Sequence, residues 1–510
     1  MIQDTSSPVD AHPRIGVPAP AHLQDQTQSM TRTAYLISST MFVLAGCTPY
    51  QPADRHAPEV AVPDRFIAPT PGVTPPEHWW LAFGDEALNA TVLEAFEGNL
   101  DLRQAWARLD QSMAQARILG APVYPDVNLD GSADRTRTSN DGDPLYTNRF
   151  RVGLSLTWEL DLWRKIANRA EAATLLADAS RDDAEQTALL LSGTVVDLWF
   201  TIQEQERLLA VLQEQIQSSR DQLQVIETRY GQGIGSALQV LQQRLQLAQV
   251  ESELPTVESI LATTRNQLAV VLGRPPQDPG FRTPEPDLPE LPAFPTLPAP
   301  RELLDTRPDL RAAYKRLAAA DLEVAASIAD MLPTVRISLE GSFSSPSLSS
   351  LFDDTIGSLG GSLLQPIFDA DRRGSEVDRR KAIVRERAES FSEQFLVALR
   401  EIKDAIDRER NQIQLLADIT RQVRIASATL LEARFRYANG QNEYLDDISA
   451  IQSLQGVQRR EVVIRRNLLA NRADLYLALG GDWLRTLEPP ESEAGANASE
   501  STDTKREPTA

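Results

Sequence analysis

The main body of this chain has neither histidine nor cysteine. The four histidines are His12, His22, His56 and His78, and the single cysteine is Cys47. Beyond residue 78 the sequence therefore lacks both the side chain that titrates near neutral pH and the softest metal ligand. One cysteine cannot pair within its own chain, so internal disulfides are excluded. No set of nucleophile, base and metal ligands converges anywhere, and the residues point away from an enzyme and from any bound cofactor or metal. Basic charge is also in deficit: 51 Lys and Arg stand against 72 Asp and Glu, a formal net charge of −21. So acidic a chain is a poor match for phosphate backbones, which argues against nucleic acid as a partner.

What is present is dominated by two periodicities. From Arg149 to Leu160, Phe150, Val152, Leu154, Leu156, Trp158 and Leu160 alternate with Arg149, Arg151, Gly153, Ser155, Thr157 and Glu159. A period of two predicts a strand with one apolar and one polar face. Asp161 to Tyr230 then contains no proline and one glycine, Gly193, which predicts a single helix on the order of 100 Å long. Its line Leu198, Ile202, Leu209, Leu212, Ile216, Leu223, Ile226, Tyr230 calls for side-by-side helical packing.

Upstream, Trp79-Trp80-Leu-Ala-Phe83-Gly84-Asp85 opens a helical segment expected to reach about Leu119. A strand is expected from Asp126 to about Arg135, and residues 136–148 read as a polar loop. Downstream, Gly231, Gly233 and Gly235 permit a reversal into a returning helix from Ala237 to Leu272. Ten prolines between Pro275 and Pro300 make a stiff connector.

The pattern then recurs. Asp309-Leu-Arg-Ala-Ala-Tyr-Lys-Arg-Leu317 follows Asp101-Leu-Arg-Gln-Ala-Trp-Ala-Arg-Leu109 by 208 positions, as Pro333 follows Pro125, and Asp369 and Arg372 follow Asp161 and Arg164. Arg436-Tyr437-x-x-Gly440 follows Arg229-Tyr230-x-x-Gly233 by 207, and Leu479-Gly480 follows Leu272-Gly273 by the same step. A nearly constant offset over so many residues implies a tandem duplication of helix–strand–strand–helix–helix units. In each half the short incoming and returning helices add up to roughly the long one, and so can lie end to end beside it. Four strands per chain cannot close a membrane barrel, whose minimum is about eight, whereas three chains supply about twelve.

The chain start carries an address. From Met30 a weakly basic stretch leads into an apolar run, Ala34 to Ala45, too short to span a bilayer as a permanent helix. It ends in Leu44-Ala45-Gly46-Cys47, which resembles the lipobox of bacterial lipoproteins and implies that Cys47 becomes the lipidated first residue. Thr48 stands where an aspartate would favour the inner membrane, so the outer membrane is the expected location. Residues 1–46 are thus read as an upstream segment plus signal peptide, and 47–75 as a lipidated tether. The first repeat is placed at 76–274, the connector at 275–300, the second repeat at 301–485 and an acidic tail at 486–510.

The pieces Trp79-Trp80-x-x-Phe83-Gly84-Asp85, Arg307-Pro308-Asp309-Leu310-Arg311, the two Arg-Tyr-x-x-Gly tips and Ala478-Leu-Gly-Gly481-x-Trp483 together resemble the TolC-like outer-membrane efflux family, in its OprM- and NodT-type lipoprotein branch. The resemblance spans about residues 76–485. It implies an α+β, mostly α, fold: a homotrimer with a twelve-stranded transmembrane β-barrel, continued by a long periplasmic α-helical barrel. It implies a passive exit duct for small toxic solutes or drugs, working with a periplasmic membrane-fusion adaptor and an inner-membrane RND-type pump. The only group attached would be the lipid on Cys47.

By the same resemblance the narrow periplasmic aperture falls on Tyr230, Gly233, Leu238 and Gln239, and on Tyr437, Gly440, Tyr444, Leu445, Asp446 and Asp447. Asp446 and Asp447 could form an acidic ring about a threefold axis, or simply offset the dipole of the helix they begin. Tyr230 and Tyr437 suit heptad packing as well as gating. Ser449, Gln239 and Asn442 stand where relatives carry charged residues, so a salt-bridged lock of the family kind is in question. Trp158 and Trp163 suit either an aromatic belt at the lipid boundary or packing at the strand–helix junction. Arg164-Lys165 and Arg372-Arg373, at matched positions after the strands, read as junction charges. Two other functions fit part of the pattern. A type I protein-secretion duct shares the whole architecture, and a coiled-coil structural envelope lipoprotein explains the helices and lipid but not the strands.

Overall fold

The computed structural model describes residues 60, 62–66, 72–139, 143–276 and 287–487. Cys47, the signal segment, most of the tether and nearly all of the tail lie outside the described residues.

The chain enters through a 3-10 turn, Trp79–Phe83, and the Asp85 carboxylate caps helix α1 (Glu86–Gly98) by accepting the Leu88 N–H at 2.9 Å. The one helical segment expected up to Leu119 is in fact broken at Asn99. That residue is extended (ψ 126°), its side chain caps α2 (Leu100–Gly120) at Leu102, and its amide donates 2.8 Å to the carbonyl of Val271. A side chain that caps one helix and ties down the end of another outweighs the continuity of the apolar pattern.

Four strands follow in two hairpins: β1 (Asp126–Thr138), β2 (Leu145–Leu160), β3 (Thr334–Ser345) and β4 (Thr355–Leu364). They form one antiparallel sheet in the order β1-β2-β3-β4. The first hairpin is longer than its alternation predicts, because Thr136, Arg137 and Thr138 pair with Thr147, Tyr146 and Leu145. The Arg135 guanidinium covers the Tyr146 ring at 4.9 Å, so polar residues expected in a loop still gain from strand pairing. The register places Asp126 opposite Thr157, Leu160 opposite Val335 and Thr334 opposite Leu364. All four helix-bearing strand ends therefore lie at one end of the sheet, with both hairpin loops at the other. β1 and β4 are its outer strands, exposed along their whole length.

Helix α3 runs from Lys165 to Gly231 and begins later than predicted. Arg164 adopts a left-handed conformation (φ 58°), and the Asp161 carboxylate turns back to accept the N–H groups of Ile166 and Ala167 at 3.0 and 2.7 Å. Helices α4 (Ala237–Val271), α5 (Pro308–Ala329), α6 (Arg372–Ala438) and α7 (Tyr444–Leu479) complete the chain. The long helices α3 and α6 have 67 residues each, about 100 Å of helix. α3 packs against α2, α4, α5 and α7. Its buried Ala172, Ala173 and Ala177 and the buried Ala319, Ala325 and Ala326 of α5 permit close approach. Along the heptad line Ile202, Leu212, Ile216 and Ile226 are buried, but the seam ends before Tyr230, which is exposed.

The main core is an aromatic knot near the middle of the long helices. Trp79, Trp80, Phe83, Trp199, Phe200, Tyr476 and Trp483 are all buried in it, with Trp80 and Trp483 edge to face at 5.1 Å. The Trp199 indole donates to Asp85 at 2.8 Å, so that one carboxylate serves both a helix cap and the knot.

Candidate functional site

Two helix hairpins meet at the end of the bundle away from the sheet, and each turns by the same device. Gly233 (φ 71°) and Gly440 (φ 67°) take the left-handed conformation that a glycine adopts at least cost. The N–H of Gly233 donates to the Tyr230 carbonyl at 2.9 Å and that of Ile234 to Arg229 at 3.0 Å. Gly440 and Gln441 do the same to Tyr437 and Arg436, at 3.1 and 2.9 Å. The repeated Arg-Tyr-x-x-Gly is thus a helix-termination motif. Gln239 closes a capping box with Ser236, its side-chain oxygen accepting the Ser236 N–H at 3.1 Å.

Between the hairpins lies a small mixed cluster. Ile226, Val240, Tyr444 and Ile448 are buried together, and the Tyr444 hydroxyl donates to Gln243 Oε1 at 2.6 Å. The Tyr437 ring lies 5.2 Å from that of Tyr444 and is covered by the Arg229 guanidinium at 5.1 Å. Burial, then the nearby Asp447, holds the Tyr444 phenol protonated far above the ordinary tyrosine range.

The two aspartates of this segment part company. Asp447 is fully buried, accepts from Gln222 Nε2 at 3.3 Å, and has Arg434 Nε 3.9 Å away; its Oδ1 has no hydrogen-bond partner. Burial raises its pKa and Arg434 only partly offsets that. Asp446, one residue earlier, is exposed. The structure thus gathers Tyr437, Tyr444 and Asp447 inside the tip. It leaves Tyr230, Leu238, Leu445 and Asp446 on its exposed side, and it commits Gln239 to a cap.

Sequence reasoning missed the polar layer behind the tip. Gln246 donates to Gln455 at 2.8 Å, Gln452 to Gln246 at 2.7 Å, and Arg459 to Gln215 at 2.7 Å, which links α3, α4 and α7. The spacing of Gln243, Gln246 and Val250 on the buried stripe of α4 was the available signal.

At the sheet end, Trp158 donates to the Val123 carbonyl at 3.1 Å and Trp163 to that of Pro333 at 2.8 Å. Both indoles bridge strand ends to the segments that enter the strands. Midway, Arg307 is buried and holds Asp309 at 2.7 Å, Glu401 at 2.8 Å and the Ala478 carbonyl at 3.1 Å. Arg472 and Glu409, 2% and 3% exposed, pair at 2.7 Å, and Arg472 also donates to the carbonyls of Pro292 and Ala293 in the connector. Among the described residues no helix is long and apolar enough to cross a membrane, and no cluster of three or more His, Cys, Asp or Glu side chains is placed to hold a metal ion.

A sheet with two bare edges thus feeds two helices about 100 Å long, each of which turns back in a narrow hairpin. The family model for outer membrane efflux proteins matches residues 92–274 and 299–481. The chain is 29% identical over 476 residues to the pyoverdine export outer membrane protein OpmQ of Pseudomonas putida, covering 89% of this chain and 98% of OpmQ. It is 27% identical to the probable outer membrane lipoprotein SilC of Salmonella typhimurium, covering 89% and 100%. The solved outer-membrane channel OprN superposes with a TM-score of 0.80 at 26% identity, over 85% of this chain and 99% of OprN. The chain belongs to the outer membrane efflux protein family, and its work is that of an efflux channel in the outer membrane.

Proposed function

We propose that three copies of this chain close one twelve-stranded barrel and continue it as a helical duct across the periplasm. On this reading the duct serves a tripartite system with a membrane-fusion adaptor and an RND-type inner-membrane pump. The observation that carries it is the sheet: four strands, fully exposed outer strands and two unpaired edges. Unpaired edges are not tolerated in hydrocarbon, and about eight strands are the fewest that close a membrane barrel. The two similar halves, each matched by the family model, suit a tandem duplication that gives the duct pseudo-sixfold walls. Small solutes are the cargo this reading favours, as the name of OpmQ specifies pyoverdine for that relative. A lipid on Cys47 would hold the tether to the same membrane.

The test is the mass of the detergent-extracted protein together with its dichroism and conductance. A trimer with mixed α and β signals and ion conductance in planar bilayers is expected. A stable monomer that keeps its full β content would overturn the assembly.

A further inference from the structure

The matched basic pairs after the strands, Arg164-Lys165 and Arg372-Arg373, flank the strand–helix junctions, where Lys165 faces Glu159 and Arg373 faces Asp369. Their surroundings differ from the rest of this acidic chain. At the sheet end from which the helices leave, Arg169, Arg372, Arg373 and Arg380 line one cleft of about 50 Å³, where α3, α5 and α6 meet. Three carboxylates share it, and each is engaged. Asp330 faces Arg373 at 3.3 Å, while Glu323 and Glu376 face Arg380 at 3.2 and 2.8 Å. Among the described residues Arg169 and Arg372 have no ion-pair partner, and both are exposed. Arg373 also holds Asp369 at 2.7 Å and Glu376 also holds Arg379 at 2.6 Å, so the guanidinium groups left over beside this space of phosphate size are the two of Arg169 and Arg372.

The apolar surroundings supply the second half. Ile367 and Phe368, just before Arg372, are 88% and 89% exposed. Leu162 and Met331 are exposed at the same end. Isolated apolar side chains on a surface need no explanation, but large ones beside unpaired arginines make an amphipathic collar. A soluble anion would satisfy the arginines and leave the apolar residues in water. A phospholipid satisfies both: its phosphate accepts from guanidinium groups and its acyl chains cover the apolar residues.

We propose that this cleft is a binding site for the phosphodiester headgroup of an anionic phospholipid, in the membrane leaflet that faces the helices. The inference rests on the strands crossing the outer membrane. The two unpaired guanidinium groups suit the two free oxygens of one phosphodiester, such as that of a phosphatidylglycerol. Bidentate hydrogen bonding favours arginine over lysine at such a site, although lysine keeps the charge.

The experiment reconstitutes the full chain into vesicles that mix phosphatidylglycerol with phosphatidylcholine. It measures the ratio of the two lipids retained on the protein by native mass spectrometry. Wild type is expected to enrich phosphatidylglycerol, and Arg169→Gln with Arg372→Gln to cut that enrichment about fivefold or more. Arg169→Lys with Arg372→Lys should keep most of it, and Arg421→Gln, a substitution far along α6, should leave it unchanged. Two results would overturn the site: equal enrichment in the wild type and the double glutamine variant, or displacement of the lipid by excess inorganic phosphate. Failure of the wild type to enter any bilayer would instead remove the channel reading, and the site with it.

Discussion

The carbonyl oxygen of Gly98 stands where a side chain on Gly273 would begin: a Cβ built on Gly273 would lie 2.1 Å from it. The contact is mutual, since a Cβ on Gly98 would lie 2.2 Å from the Leu272 carbonyl oxygen. Here the end of α4 abuts the junction of α1 and α2, the end-to-end joint expected from the helix lengths. The second half repeats it, with Gly480 against Thr306 and the Gly481 N–H donating to the Thr306 carbonyl at 3.2 Å.

Gly273→Ala should therefore cost much more than Gly233→Ala, although both positions have φ near +70°. Gly233 has open space around it and should lose only the conformational term, ~1 kcal/mol. Gly273→Ala must also displace backbone, and a loss of ~3 kcal/mol or more is expected. Thermal unfolding followed by tryptophan fluorescence measures both, since the neighbouring core holds Trp79, Trp80, Trp199 and Trp483. Equal losses would show that the joint can relax.

Arg472→Ala should destabilise the middle of the molecule by ~3–5 kcal/mol, because it strands the buried Glu409 carboxylate. It should also release the Pro292 and Ala293 carbonyls and open the connector to protease. Replacing both partners, Arg472→Met with Glu409→Leu, should recover much of the stability but not the protection of the connector. Limited proteolysis beside a melting curve separates the two effects.

Asp447 sets a pH dependence whose sign follows from its burial. Its folded-state pKa is raised, so the neutral carboxyl is favoured and ionisation weakens the fold. The penalty is full above the raised pKa, shrinks as pH falls through it, and is gone below the ordinary aspartate value of about 4. Asp447→Asn should raise the melting temperature near neutral pH and match wild type in acid. A gain that persists unchanged in acid would show that ionisation is not the cause.

Asp446, not Asp447, is the carboxylate available to an aperture ring. On the proposed trimer, Asp446→Asn should lower cation selectivity at low salt, while Asp447→Asn should leave it unchanged. The difference should fade at high salt, because the Debye length is already down to ~10 Å at 0.1 M. Reversal potentials in a salt gradient test this, and an unaltered preference in Asp446→Asn would remove it from the aperture.

The strands and long helices were legible because their periodicities are local and long. The break at Asn99 was not, because half of what fixes it, the tie to Val271, comes from 172 residues away, although its cap on Leu102 is local. Arg472 and Glu409 likewise sit 63 positions apart with nothing local to announce the pair. The separation of Asp446 from Asp447 could have been seen. Tyr444, Asp447, Ile448 and Ile451 follow the three-and-four spacing of the buried stripe of α7, and Asp446 falls off it.

The bare edges of the sheet also govern how the molecule can be made. A lone protomer entering the bilayer would carry two rows of unpaired N–H and C=O groups into hydrocarbon, each group costing several kcal/mol. On the proposed assembly, insertion and association are then a single event. Its rate should climb steeply with the number of protomers waiting at the membrane surface. A cell that makes the chain slowly accumulates precursors whose open strand edges invite mispairing, so biogenesis favours synthesis in bursts or an escort that masks β1 and β4 until partners arrive.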